Sequence, residues 1–332
     1  MLSMVIAFNL PNLAYCHFIG TSIIRWRKTM FNKELEAKKT QFHQHVCKLQ
    51  DEITKVIQSI DPNIELVVDP WERSDFLGNP GGGGITHAFC GEVIENAGVN
   101  TSKVMGTIDP EFAKKLGGTG DQMWACGISL IIHPKNPRVP TVHANFRMIQ
   151  VGEKFWFGGG ADLTPFYPHK EDFDYFHQVW KSACAPYDCY ERMKKECDEY
   201  FVNAHRGGEM RGIGGIFFDH FNTTNLDSDI AMVKDLSEYF IKSYFPIVEK
   251  RKDEIYNAAD EDFQLHRRGR YVEFNLLHDR GTMFGLKTNG RTDSILISLP
   301  ARAKFSYKYA PVLGSPHEEM MKYYFADFNL GN

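Results

Sequence analysis

Between Val142 and Val151 the chain alternates: Val142, Ala144, Phe146 and Met148 project to one side, His143, Asn145 and Arg147 to the other. A period of two marks a β-strand with one apolar and one polar face. Gly152 and Glu153 then lead almost directly into Phe155-Trp156-Phe157. So short a link cannot hold the crossover helix that a parallel pair needs, and it reads as an antiparallel hairpin. A chain organised around such a hairpin folds as α+β with an antiparallel sheet rather than as a doubly wound domain.

The flanking segments extend this pattern. Gly127 to His133 is a strand closed by Pro134, and Leu66 to Val68 is a short one. Gly214–Asp219, Tyr271–Leu277, Met283–Lys287 and Ser294–Leu299 read as the remaining strands. Helices are expected from Lys33, where Phe42, Val46, Leu49, Ile53, Val56 and Ile60 step by three and four, and over Glu171–Lys181, Glu191–Phe201 and Asp229–Tyr256. Pro246 is the expected kink in the last of these. Asn79-Pro80 followed by Gly81 to Gly84 reads as irregular, a mobile flap or a close backbone approach to a ligand. No repeat or linker divides the chain, so residues 33–332 are expected to form one domain.

Composition narrows the function. With 332 residues, 43% hydrophobic and 24% charged, neither wholesale disorder nor a membrane bundle is in question. The charge of -4, from 38 basic and 42 acidic side chains, lacks the basic excess of a nucleic-acid binder. The 25 Phe and 14 Tyr suit a thick core or a site for a large flat ligand. Seven cysteines without a Cys-x-x-Cys pair argue against a disulfide scaffold, a zinc ribbon and a clustered iron–sulfur site, and favour a reducing compartment.

Residues 1–32 stand apart as a leader or disordered segment. Met1 to Met30 contains no acidic residue, its apolar run is broken by Asn9, Pro11, Asn12 and His17, and its positive charge comes at the end, in Arg25-Trp26-Arg27-Lys28. That pattern suits neither a spanning helix nor a secretory signal. A cytoplasmic protein is expected, or a mitochondrial one if residues 1–30 act as a presequence.

Four constellations carry chemical potential. His143, Asn145 and Arg147 share one strand face, and Ser129 and His133 share a face of the neighbouring strand; a solvated sheet face is the plain alternative. Asp162, on the glycine-rich run Trp156 to Pro165, is either a cap or a proton acceptor for a ligand. Arg206, Arg211, Arg267, Arg268, Arg270, Arg280 and Arg291 suit a polycarboxylate ligand or local ion pairs. His133, His143, His177 and His205 are candidate metal ligands without a paired motif.

Several runs of residues go further. Ala144-Asn145-Phe146-Arg147, Trp156 to Pro165, His205-Arg206 with Arg211 to Asp219, Arg267 to Asn275, Asp279-Arg280-Gly281-Thr282 and Ser294 to Pro300 resemble the oxygen-dependent coproporphyrinogen III oxidase family, from about residue 35 to the C-terminus. The resemblance implies a flat antiparallel sheet of about seven strands with helices on both faces, and a homodimer whose interface includes residues 271–306. It implies oxidative decarboxylation of the ring A and B propionates of a tetrapyrrole substrate, in haem biosynthesis, with O2 consumed and CO2 and hydrogen peroxide released. Ser129, Asn145, Phe146 and Arg147 match substrate-contact positions, His143 a proton donor, and Asp162, Asp279 and Arg280 groups acting on the pyrrole and propionates. Asn289-Gly290-Arg291 matches a substrate loop in which Gly usually stands at the first position. A divalent metal is described in bacterial members at positions matching His133, His143, His177 and His205, although the family is generally regarded as working without one.

The sequence holds no flavin fingerprint, no haem-attachment motif and no Cys-x-x-x-Cys-x-x-Cys, so no cofactor is expected to be obligatory and the pyrrole itself must supply the electrons. A carboxylate at ~4 lies roughly ten pKa units, or about 14 kcal/mol, below a pyrrole N–H, so it can act only as a hydrogen-bonding partner that takes the proton as O2 attacks. Asp162 is the expected nitrogen partner, with Arg280 holding Asp279 ionised and Arg147, Arg280 and Arg291 on the propionates. A non-catalytic tetrapyrrole carrier and a metal-dependent dioxygenase are the other readings.

Overall fold

A computed structural model describes residues 13–287 and 290–325, with side chains from Lys33 onward except those of Phe284 and Lys287. The chain divides into two compact units, residues 1–41 and 42–332. The first contributes the opening turns of helix α1 (Leu13–Ile60), which carry a Lys39–Glu36 ion pair at 2.5 Å. Residues 13–32, expected as a leader, are helical there.

The second unit is built on one seven-stranded antiparallel sheet, in the order β1 (Glu65–Ser74), β2 (Pro80–Cys90), β3 (Ile94–Thr107), β4 (Gln122–Pro134), β5 (Thr141–Val151), β6 (Lys154–Thr164) and β9 (Gly215–Phe221). A short helix, α2 (Pro110–Lys115), links β3 to β4. Between β6 and β9 lie α3 (Lys170–Cys184), α4 (Tyr190–Tyr200) and a two-stranded ribbon, β7 (Val202–Asn203) with β8 (Glu209–Met210). Helices α5 (Leu226–Arg251), α6 (Ala258–Leu277), α7 (Arg280–Lys287), α8 (Thr292–Leu296) and α9 (Pro316–Lys322) complete the chain. Among the described residues no helix is long and apolar enough to cross a membrane.

The two sheet faces differ because the strands alternate. One is apolar: Val99, Ile128, Leu130, Ile132, Val142, Ala144, Phe146 and Met148 are all buried on it. The residues of α1 from Phe42 onward and helix α5 cover it. Gln50 reaches the Ile85 and Val99 carbonyls at 2.9 and 2.8 Å, and Tyr244 donates to the Pro140 carbonyl at 2.9 Å. Helices α6 and α8 pack on the polar face.

Three expected strands are helices. Tyr271–Leu277 is the second half of α6, Met283–Lys287 belongs to α7, and Ser294–Leu299 forms the end of α8 and the turn after it. β-branched and aromatic residues suggested strands, but Phe263, Arg267, Tyr271 and Phe274 are buried at helical spacing, and such packing overrides local propensity. The overlooked signal is the capping box at Asn257 and Asp260.

The sheet draws its strands from elsewhere. Gly81–Gly84 lie inside β2, not in a flap. A Cβ on Gly83 would stand 2.0 Å from the Trp71 carbonyl oxygen, and one on Gly84 2.2 Å from that of Thr101. The close approach is to neighbouring strands rather than to a ligand. Strand β3 is not among the expected strands, although Ala97, Val99 and Thr101 alternate with Gly98, Asn100 and Ser102. The hairpin of β5 and β6, helices α3 and α4, and β9 stand where the sequence put them; Pro246 lies inside α5.

Candidate active site

One row of register partners crosses the polar face from edge to edge: Asp69, Thr86, Asn100, Ser129, Asn145, Gly160 and Phe217. Neighbours in such a row are about 4.8 Å apart. Helix α8 covers its first part, where Ser294 bonds Thr86 Oγ1 at 2.8 Å and its carbonyl accepts from Asn100 at 3.0 Å. At the far end Tyr200 stacks on Phe217 with ring centres 4.3 Å apart. Between these walls, Ser129 and Asn145 face each other on adjacent strands, half-buried, and neither side chain is bonded to another described residue. His143 and Arg147 flank Asn145 along β5.

The floor is glycine. Gly127 and Gly158 are the partners of Arg147, and Gly160 is the partner of Asn145. A Cβ on Gly158 would lie 2.8 Å from Arg147 Nε and 2.9 Å from Asp219 Oδ1, so glycine is what lets those two groups meet above it.

Behind His143 lies a buried ionic network. Asp162 is 1% exposed; its Oδ1 meets His143 Nδ1 at 2.9 Å and Arg211 Nη2 at 2.7 Å, and its Oδ2 accepts from Arg211 Nε at 3.0 Å. Arg211 also donates to Asn275 at 2.7 Å and lies over the rings of Phe201, Tyr271 and Phe274, at 4.1, 4.5 and 4.9 Å. Burial pushes the Asp162 carboxyl up, but the Arg211 charge and the hydrogen bonds from His143 and Arg211 outweigh it, leaving it below its ordinary value. Asp162 is therefore an ionised buttress that fixes His143 through Nδ1. Both of its oxygens are engaged by His143 and Arg211, and it is 1% exposed.

The opposite rim holds a second set. Arg147 Nη2 donates to Asp219 Oδ1 at 3.1 Å, and Arg280 Nη2 stands 3.9 Å from Asp219 Oδ2. Arg280 is 64% exposed and lies 4.7 Å from the Tyr200 ring centre, whereas Arg147 Nε is buried without an acceptor among the described residues. Asp279 caps α7: Oδ2 accepts from the Thr282 amide at 2.7 Å and its hydroxyl at 2.8 Å, and Oδ1 from the Tyr200 hydroxyl at 2.8 Å. Burial raises the Asp279 carboxyl, and the bonds from Thr282 and Tyr200 with the Arg211 charge bring it below its ordinary value. These groups hold it ionised, not Arg280, whose described partners are Asp219 and Tyr200.

Of two further expected contacts, one side chain faces away from the polar face and the other sits at the first edge of the same row. Phe146 is 1% exposed on the apolar face, so it cannot touch a ligand lying on the polar one. Arg291 pairs with Asp69 at 2.5 Å beside the first edge strand, and the Gly290 amide donates to the Gly285 carbonyl at 2.8 Å. Asn289 lies outside the described residues.

The four histidines do not converge. His133 bridges Thr141 and the Ser298 carbonyl, each at 3.1 Å; His177 bridges the Ile213 carbonyl at 3.1 Å and the Tyr190 hydroxyl at 3.0 Å. His205 bridges His278 at 2.7 Å and Glu273 at 3.0 Å. Among the described residues no three His, Cys, Asp or Glu side chains form a metal-ligand group, so this donor set does not fit a shared ion.

Burial, aided by Arg268, pushes His133 down to about 3, and burial, aided by Lys194, pushes His177 down to about 4. Both are neutral structural donors at neutral pH. Unfolded imidazoles near 6.5 take up protons that the folded ones refuse, so stability falls as pH drops below 6.5 toward those values. At 1.36 kcal/mol per pKa unit, each accounts for roughly 2 kcal/mol of loss between pH 7 and 5. Urea melts should show that slope, flattened in a His133→Gln/His177→Gln variant; a midpoint unchanged from pH 7 to 5 would contradict it.

Asp219 and Tyr200 are not among the expected site residues; Arg211 is expected as a cation for a polycarboxylate ligand or a local ion pair, and among the described residues it pairs with Asp162. Arg211 and Asp219 bound the run Arg211 to Asp219, but their partners lie on other strands, out of reach of local pattern. The face that results joins cations, neutral hydrogen-bonding groups and a buttressed imidazole, as binding and proton handling on an anionic ligand require. A comparison with protein families matches residues 41–329 to the model described as Coproporphyrinogen III oxidase. By that match, which takes in the whole sheet and both rims of the cleft, the chain belongs to the coproporphyrinogen III oxidase family.

Proposed function

We propose that this chain is the oxygen-dependent form of the enzyme. It converts the ring A and B propionates of coproporphyrinogen III to the vinyl groups of protoporphyrinogen IX. For each propionate, the side chain loses CO2 and a hydride equivalent; O2 accepts the two electrons and, with protons, leaves as hydrogen peroxide. No obligatory cofactor enters this reading, and no metal role is given to the four histidines.

The observation that carries it is the pair of guanidiniums, Arg147 and Arg280, converging on the polar face beside Ser129, Asn145 and His143. Arginine pairs with carboxylates through charge-assisted hydrogen bonds, and the substrate presents four of them. With His143 Nδ1 held by Asp162, Nε2 is the nitrogen left to give or take a proton at the ligand. The homodimer belongs to the same reading: Leu276, Leu277, Met283, Leu286 and Leu296 are exposed apolar side chains within residues 271–306. A cytoplasmic location does too, or a mitochondrial one if residues 1–30 act as a presequence.

The test is protoporphyrin fluorescence from coproporphyrinogen in air, with an anaerobic control and CO2 capture. Product and CO2 should appear only in air. Equal product without O2 would identify the oxygen-independent chemistry, and binding without CO2 release a carrier.

A further inference from the structure

Among the described residues, Asp162, Asp219 and Asp279 stand around the His143 and Arg147 end of the polar face, and their hydrogen bonds separate them. Both oxygens of Asp162 are taken by His143 and Arg211, and both of Asp279 by Tyr200 and Thr282. Asp219 differs. Its Oδ1 accepts from Arg147 at 3.1 Å and from the His220 amide at 3.0 Å, but among the described residues Oδ2 has only Arg280 at 3.9 Å, beyond hydrogen-bond length. The Asp219 side chain is 18% exposed, against 1% for Asp162.

Its placement is built into the backbone. His220 adopts a left-handed conformation, φ 50°; its amide donates to the Asp219 carboxylate, and its ring stacks on Trp156 at 5.0 Å. Left-handed conformations are costly for residues other than glycine and gather at functional sites. Gly158 clears the space that Asp219 and Arg147 share. A rim ion pair alone is worth too little to account for both devices.

We propose that Asp219 is the substrate-contacting carboxylate whose Oδ2 accepts hydrogen bonds from the pyrrole N–H groups, while Arg147 and Arg280 on either side of it take propionates. This rests on the function proposed above. The arrangement mirrors the ligand, because a porphyrinogen carries N–H donors at its centre and carboxylates at its periphery.

The chemistry predicts an unusual rank order. In Asp219→Asn the amide oxygen should stay with the Arg147 and His220 donors, which turns the NH2 toward the cleft and sets donor against donor. Asp219→Ala only removes the acceptor. If Asp219 merely positioned Arg147, Asn would be the milder change, since its oxygen still accepts from Arg147.

The experiment measures anaerobic dissociation constants by tryptophan fluorescence for coproporphyrinogen III and for coproporphyrin III, which keeps the four carboxylates but has lost half of its N–H donors. Both are measured on the same preparation, so that their ratio is insensitive to any unfolded fraction. Asp219→Asn should weaken porphyrinogen binding roughly 10- to 100-fold, more than Asp219→Ala, with porphyrin binding weakened clearly less, since it has fewer N–H donors to lose. Turnover should fall about 100-fold. Equal weakening for both ligands, or Ala worse than Asn, would overturn the proposal and leave the enzyme's function standing. Wild-type protein that binds neither ligand and forms no product would overturn both.

Discussion

Asp162→Asn should lose about 3–5 kcal/mol of stability, and the folded fraction should turn over roughly 10³- to 10⁴-fold more slowly. The substitution is nearly isosteric, so packing is not the cause. Arg211 is buried among Phe201, Tyr271 and Phe274, and Asp162 is the only carboxylate it touches among the described residues. Removing that charge strands a cation that cannot reach water. The catalytic loss has a separate origin: an amide facing His143 Nδ1 can donate to it, which reverses the tautomer and spoils Nε2 for its task.

A compensating variant separates the two effects. Asp162→Asn with Arg211→Met removes the stranded charge, so chemical melts should recover much of the stability while turnover stays low. Because the folded Asp162 carboxyl lies below its ordinary 3.8, the pair's contribution is complete above that value and is lost as pH falls through the lower folded one. Wild-type stability and rate in the single variant would refute the buttress role.

Gly160→Ala should cost about 3 kcal/mol. A Cβ there would lie 2.2 Å from the Ile216 carbonyl oxygen and 2.9 Å from Phe217 Cα, at φ +152°. Both obstacles are backbone of the paired strand, so relief requires parting β6 from β9. Gly158→Ala is the informative comparison, since its Cβ would meet the ends of Arg147 and Asp219 side chains, which can move. Thermal melts should show a large drop for Gly160→Ala and less than about 1 kcal/mol for Gly158→Ala, whose effect should appear in KM. Matching melts for the two would mean that the floor is looser than its register implies.

The alternation in β5 was enough to locate the polar face, because side-chain direction in a strand depends only on parity. For that reason His143, Asn145 and Arg147 were legible and Phe146 could be placed on the other side. The tightly packed glycines of β2 were not, since four in a row resemble a loop until Trp71 and Thr101 are seen pressed against them. Tyr271 and Phe274 read as strand residues by local propensity, which carries no trace of the buried helical face they share with Phe263 and Arg267. Asp162 and Asp279 were recognised as important, but their roles turn on Arg211 and Tyr200, 49 and 79 residues away along the chain. Pairings of that span come from topology, which short windows of sequence do not encode.

Arg147 rises between Gly127 and Gly158, so no side chain on either neighbouring strand props its stem. Its guanidinium is anchored at the tip instead, where Nη2 donates to Asp219 Oδ1. On the function proposed above, a guanidinium anchored at its tip rather than along its stem can pass from one propionate to the next as the macrocycle is turned.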